Sequence, residues 1–226
     1  MDSYIYGKNS VEFVTVCVEF CAFIERAPET KMIDFTTKAV KLLPLLYLKA
    51  SLVEPEECYD DYPERFVSEE FYNGIRYGIE NVLGTQDAYL EVFIEGMQYS
   101  DTPITASISE DLADIYQCIK DFISVYRLGN DSTSRAALTA CAESFREYWG
   151  QKAVNVMRPL HTLCYSDKLK EEEEREEDYD YDYDEENNGN TLYREEGCNC
   201  GSECECGSQT ERHIHGEECG CDKSHG

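Results

Sequence analysis

The chain has 226 residues and a formal net charge of -27, with 47 acids against 20 bases. A surface this acidic repels nucleic-acid phosphates and anionic lipid, so the expected partners are metal ions or a protein, with no nucleic acid and no membrane. No apolar run reaches the ~20 residues of a membrane helix, and the first ten residues carry no signal-like apolar core, which predicts a cytoplasmic protein with reduced thiols.

The charge is uneven. Residues 171–226 hold 20 acids and 4 bases, against 27 acids and 16 bases in residues 1–170. The sequence therefore divides into a helical domain (1–166), an acidic flexible linker (167–197) and a Cys/His-rich tail (198–226).

The first helix is predicted from Asn9, whose spacing to Glu12 is that of a capping box. Phe13, Val14, Cys17, Phe20, Cys21 and Ile24 recur at three- and four-residue steps, and Ala27-Pro28 ends the stripe. Cys17 and Cys21 stand one turn apart and read as small core fillers, because no further ligand lies at metal spacing. The second helix is predicted from about Thr30 to Ser51, kinked or broken at Pro44. The acidic stretch Glu54–Asp61 reads as a solvated loop.

Ser68 caps a third predicted helix, carrying Phe71, Ile75, Ile79, Val82 and Leu83 and stopped by Gly84. A shorter amphipathic helix is predicted from Asp87 to Gln98, then a loop over Ser100–Ile108. Ser107 and Glu110 form a second capping box. The stripe Leu112, Ile115, Tyr116, Ile119, Phe122, Ile123 and Tyr126 follows, closed by Gly129-Asn130. The acids nearby (Glu110, Asp111, Asp114, Asp121) fall off that stripe and read as solvated, as do Glu12, Glu19 and Glu25.

The last helix is predicted from Asp131 or Ser132, with Leu138, Cys141, Phe145, Tyr148 and Trp149 apolar and the stripe running past Gly150 through Val154, Met157 and Leu160. Trp149 is expected as a core anchor, and His161 as a structural histidine. With no convincing strand, the expected fold is all-α, a single bundle of about six helices. Phosphate-loop, dinucleotide, zinc-protease and nucleophile-elbow motifs are absent, so no catalytic residue and no organic cofactor are expected.

Four blocks carry a family likeness: VEFVTVCVEFCAFIE (11–25), KLLPLLYLKAS (41–51), YSDTPITASISEDLADIYQCIKDF (99–122) and EYWGQKAVNVMRPLH (147–161). Together they resemble the bacterial domain of unknown function 5063 over about residues 1–165. The resemblance implies a mostly helical domain with no assigned activity. Within it, the loop holding Asp101, Thr102, Pro103 and Thr105 leads into a capped helix start, whose N–H groups are a candidate anion site.

Residues 171–186, EEEEREEDYDYDYDEE, contain twelve acids, which repel one another and supply no aliphatic core. Then a ligand pattern repeats. Cys198, Cys200, Cys204 and Cys206 form C-x-C-x3-C-x-C; His213, His215, Cys219 and Cys221 form H-x-H-x3-C-x-C at a constant offset of fifteen residues. His225 is a spare. Each set suffices for a tetrahedral shell around a soft ion, with zinc expected first, then copper(I), then nickel. The C-x-C spacing resembles metal-storage tails more than zinc ribbons, which suggests metal sequestration or delivery. The competing expectation is an interaction adaptor whose tail solubilises it or responds to redox state.

Overall fold

A computed structural model describes residues 4–57, 65–91 and 104–166. The chain divides into two units, Met1–Asp180 and Tyr181–Gly226, and every described residue belongs to the first. The predicted linker and tail lie outside the described residues.

Helix α1 spans Lys8–Glu25 and buries Phe13, Cys17, Phe20, Cys21 and Ile24, the predicted stripe. Its cap differs from the expected one. Gly7 occupies the cap position without a side-chain bond, and the Asn9 amide donates instead to the Leu52 carbonyl, 3.1 Å away. Glu12 is correspondingly free to pair with Lys49 at 2.7 Å. A 3-10 turn, Ala27–Glu29, leads to α2, Met32–Ser51. This helix continues through Pro44 without a break. Pro44 lies on the exposed side, where water can solvate the carbonyl that its ring leaves unbonded.

Helix α3, Glu69–Leu83, starts at Ser68, whose hydroxyl accepts the Phe71 N–H, and ends at Gly84 with φ 51°. That left-handed backbone suits glycine. The fold is a helical bundle as expected, but the next element replaces the predicted Asp87–Gln98 helix with a small two-stranded sheet. Ala88–Glu91 is strand β1 and Ile104–Ser107 is strand β2, paired antiparallel with Ala88 opposite Ser107 and Glu91 opposite Ile104. The predicted Asp87–Gln98 helix placed Tyr89 and Leu90 on one face. In β1 they alternate, so that Tyr89 and Glu91 are half-buried while Ala88 and Leu90 are exposed.

Helix α4, Ile108–Arg127, is the hub. It packs against α1, α3, α5 and α6, and buries Leu112, Ile115, Tyr116, Ile119, Phe122 and Ile123. Asn130 accepts the N–H groups of Ser132 and Thr133 to start α5, Asp131–Ser144. A π turn, Phe145–Trp149, then joins α5 to α6, Gly150–Cys164. The π turn inserts a residue into the helical repeat. Beyond it the buried positions become Ala153, Val156, Leu160 and Leu163, whereas Tyr148 and Val154, expected inside, are exposed.

Trp149 is fully buried and donates its indole N–H to the Cys141 carbonyl at 3.1 Å. Its ring stacks at 6.5 Å from Phe13, which stacks in turn at 5.6 Å from Phe122. These rings tie α1, α4 and the π turn together. Among the described residues no helix is long and apolar enough to cross a membrane.

Candidate functional site

Two acids one turn apart on α4, Asp111 and Asp114, collect a polar cluster from four other segments. Asp111 is only 6% exposed. Lys152, on the first turn of α6, reaches Asp111 at 2.6 Å and Asp114 at 2.9 Å. Tyr89 of β1 donates to Asp111. Tyr72 of α3 and Tyr148 of the π turn donate to Asp114 at 2.8 and 2.7 Å. The cluster thus joins α3, β1, α4, the π turn and α6. Sequence reasoning treated Asp111 and Asp114 as solvated, and the structure corrects that. Their partners come from segments that only the fold brings near.

Two other acids read as solvated also have partners. Asp121 accepts the N–H groups of Phe66 and Val67 at 2.7 and 2.9 Å, fixing the entry to α3. Glu25 accepts from Tyr116 at 2.7 Å and from Lys120.

The electrostatics fix the protonation states. Burial works against the charge on Lys152, but its hydrogen bonds to Asp111 and Asp114 outweigh that and hold its pKa above the ordinary lysine range. Burial, with the carboxylate that each hydroxyl faces, pushes Tyr72, Tyr89 and Tyr148 upward. A charged lysine and neutral tyrosines serve as donors, not as bases or nucleophiles. Among the described residues every buried side-chain nitrogen or oxygen has a hydrogen-bond partner. The cluster is built as a clamp.

The N-terminus of α4, a candidate anion site by sequence, already holds an anion from its own chain. Asp87 accepts the Ser109 N–H at 2.7 Å and the hydroxyls of Ser107 and Ser109 at 3.0 and 2.8 Å. Ser107 accepts the Glu110 N–H at 3.2 Å, as its capping position predicts. Thr105 is exposed on β2, while Asp101, Thr102 and Pro103 lie outside the described residues.

Beside the clamp, a groove of about 640 Å³ runs between β1 and α6. His161 is exposed on α6, with its ring 4.7 Å from that of Tyr165. In the acidic loop Glu54 and Glu56 pair with Arg146 and Arg135, so its first part is anchored.

Cys17, Cys21 and Cys141 are buried free thiols. Burial pushes Cys21 up to about 12, and raises Cys17 and Cys141 well above the usual thiol value. Protonated thiols are poor metal ligands. Among the described residues no three histidines, cysteines or acids are grouped to hold a metal ion. The nine ligands expected from sequence (Cys198, Cys200, Cys204, Cys206, His213, His215, Cys219, Cys221 and His225) all lie outside the described residues.

The sequence pattern of the family described as "Domain of unknown function (DUF5063)" matches residues 4–166. The chain belongs to this family. The crystal structure of protein BF1032 from Bacteroides fragilis is similar at 48% identity and a TM-score of 0.65, over 72% of this chain and 96% of that one. No curated protein matches the chain. The DUF5063 match ends at residue 166, two residues past α6, and the acidic and Cys/His segments of the sequence lie beyond it.

Proposed function

We propose that this protein is a cytoplasmic DUF5063 domain carrying a soft-metal-binding tail that sequesters a transition metal or hands it on. The observation that carries the proposal is the repeated ligand spacing. Four ligand positions recur at one offset, together with Gly201/Gly216 and Glu203/Glu218. The first module offers four thiolates and the second two imidazoles and two thiolates, either enough for zinc. Copper(I) suits the sulfur-rich module and nickel the mixed one. Glycines between ligands let the backbone wrap closely, and neighbouring glutamates raise the local cation concentration.

Metal binding here releases thiol protons, so affinity falls as pH drops. The test is elemental analysis of the full chain purified anaerobically under reducing conditions. The wild type is expected to hold about one or two equivalents of metal. A variant with the six tail cysteines changed to serine is expected to hold none. Equal metal in both would reject the proposal. The helical domain supports a second reading, a protein-binding role, through the groove beside β1.

A further inference from the structure

Among the described residues the sheet has two strands, and β1 pairs on one side only, which leaves its other edge unpaired. The Ile108 N–H donates to the Asp87 carbonyl at 2.9 Å, which makes 87 and 108 a hydrogen-bonded pair in this register. Antiparallel pairs alternate, so Tyr89 and Glu91 are the next residues bonded to β2. Ala88 and Leu90 fall between them, and their backbone N–H and C=O groups point away from β2. Neither has a hydrogen bond to another described residue on that side.

That edge faces the groove. All four residues of β1 line it. Side chains alternate along a strand, so a cavity touching four in succession follows the strand's edge, not one of its faces. The opposite wall is a single face of α6, where Val154, Asn155, Arg158, Pro159, Thr162 and Leu163 recur at helical spacing. From Val154 to Leu163 that face is about 14 Å long, the span of about four extended residues. The wall is apolar at Val154, Pro159 and Leu163, and Leu90 stands 61% exposed at the rim. Arg158 is exposed, and its guanidinium has no partner among the described residues. Glu91 is already bound to Asn155 at 3.1 Å.

We infer that this groove binds the C-terminal end of a partner polypeptide, added as a strand to the edge of β1 with its terminal carboxylate on Arg158. Backbone groups of the added strand satisfy Ala88 and Leu90. Its inward side chains are apolar, to match Val154, Pro159 and Leu163. A guanidinium presents paired donors that fit a carboxylate. A terminal carboxylate supplies that single charge while leaving every side-chain position apolar. Acidic side chains would instead bring further charge beside Glu91.

The experiment is amide hydrogen exchange on the full chain, resolved at Ala88 and Leu90. The probe is a mixed pool of hexapeptides of Val, Ile, Leu, Thr and Tyr with free C-terminal carboxylates, at ~1 mM. Exchange at both amides is expected to slow about tenfold or more. The same pool with C-terminal amides is expected to protect much less, and Arg158→Gln to respond to both pools alike. Arg158 is exposed and pairs with no described residue, so its replacement does not threaten the described fold. No protection at Ala88 and Leu90 would overturn the inference. So would equal protection by the acid and amide pools on the wild type, or by an amidated pool carrying an internal Glu. Protection already present without peptide would also overturn it. If it rises with protein concentration, a second copy fills the edge; if it does not, the chain's own residues do.

Discussion

Lys152 is what allows Asp111 to be buried. Removing it leaves a carboxylate that is 6% exposed facing Asp114, with only tyrosine hydroxyls in reply. Lys152→Met is therefore expected to lower stability by about 3 kcal/mol, measured by urea unfolding. Adding Asp111→Asn should recover part of that loss, because the orphaned charge is gone. An unchanged urea midpoint for the single variant would show that the clamp holds nothing. None of this was legible along the chain. Asp111 and Asp114 lie beside the apolar stripe of α4, and their burial depends on a lysine and three tyrosines from four other segments. Trp149 was legible, because its spacing from Leu138, Cys141 and Phe145 already placed it inside.

Among the elements, the helices follow from apolar spacing and the hairpin does not. Ala88–Glu91 is four residues long, too short for period two to declare itself against a helical reading of Tyr89, Leu90, Phe93 and Met97. Its strand form rests on Asp87, which bonds across to Ser107 and Ser109. Asp87→Ala is expected to cost about 1–2 kcal/mol, the usual range for a lost helix cap. It should also speed hydrogen exchange in the first turn of α4 and in β2, while α2 stays unaffected. The π turn is equally hidden in sequence. A Cβ on Gly150 would stand 2.3 Å from the Phe145 carbonyl oxygen and 2.9 Å from its ring. Gly150→Ala is accordingly expected to destabilise by about 1–3 kcal/mol. If its thermal midpoint instead matched that of the wild type, the π turn would be dispensable.

At the scale of the molecule, the buried thiols set a limit on alkaline stability. Cys17, Cys21 and Cys141 stay protonated in the fold, while an unfolded thiol ionises near its usual value of about 8.5. Between those values the unfolded chain binds fewer protons than the folded one, so stability falls as pH rises. Each such group contributes about 1.4 kcal/mol per pH unit. Urea midpoints should hold steady to about pH 8 and then decline. Replacing Cys141 with alanine should make the decline shallower, whatever it does to the midpoint at neutral pH.

The sequence contains one tryptophan, and it sits fully buried against Phe13 and Phe145. The protein thus carries a single indole reporter, placed in the family domain far along the chain from the Cys/His modules. Emission excited in the indole band follows the core alone. Titrating zinc into the reduced protein should leave that emission unmoved while thiol protons are released. A spectral shift on metal addition would mean that the two parts of the chain communicate, and one cuvette would register it.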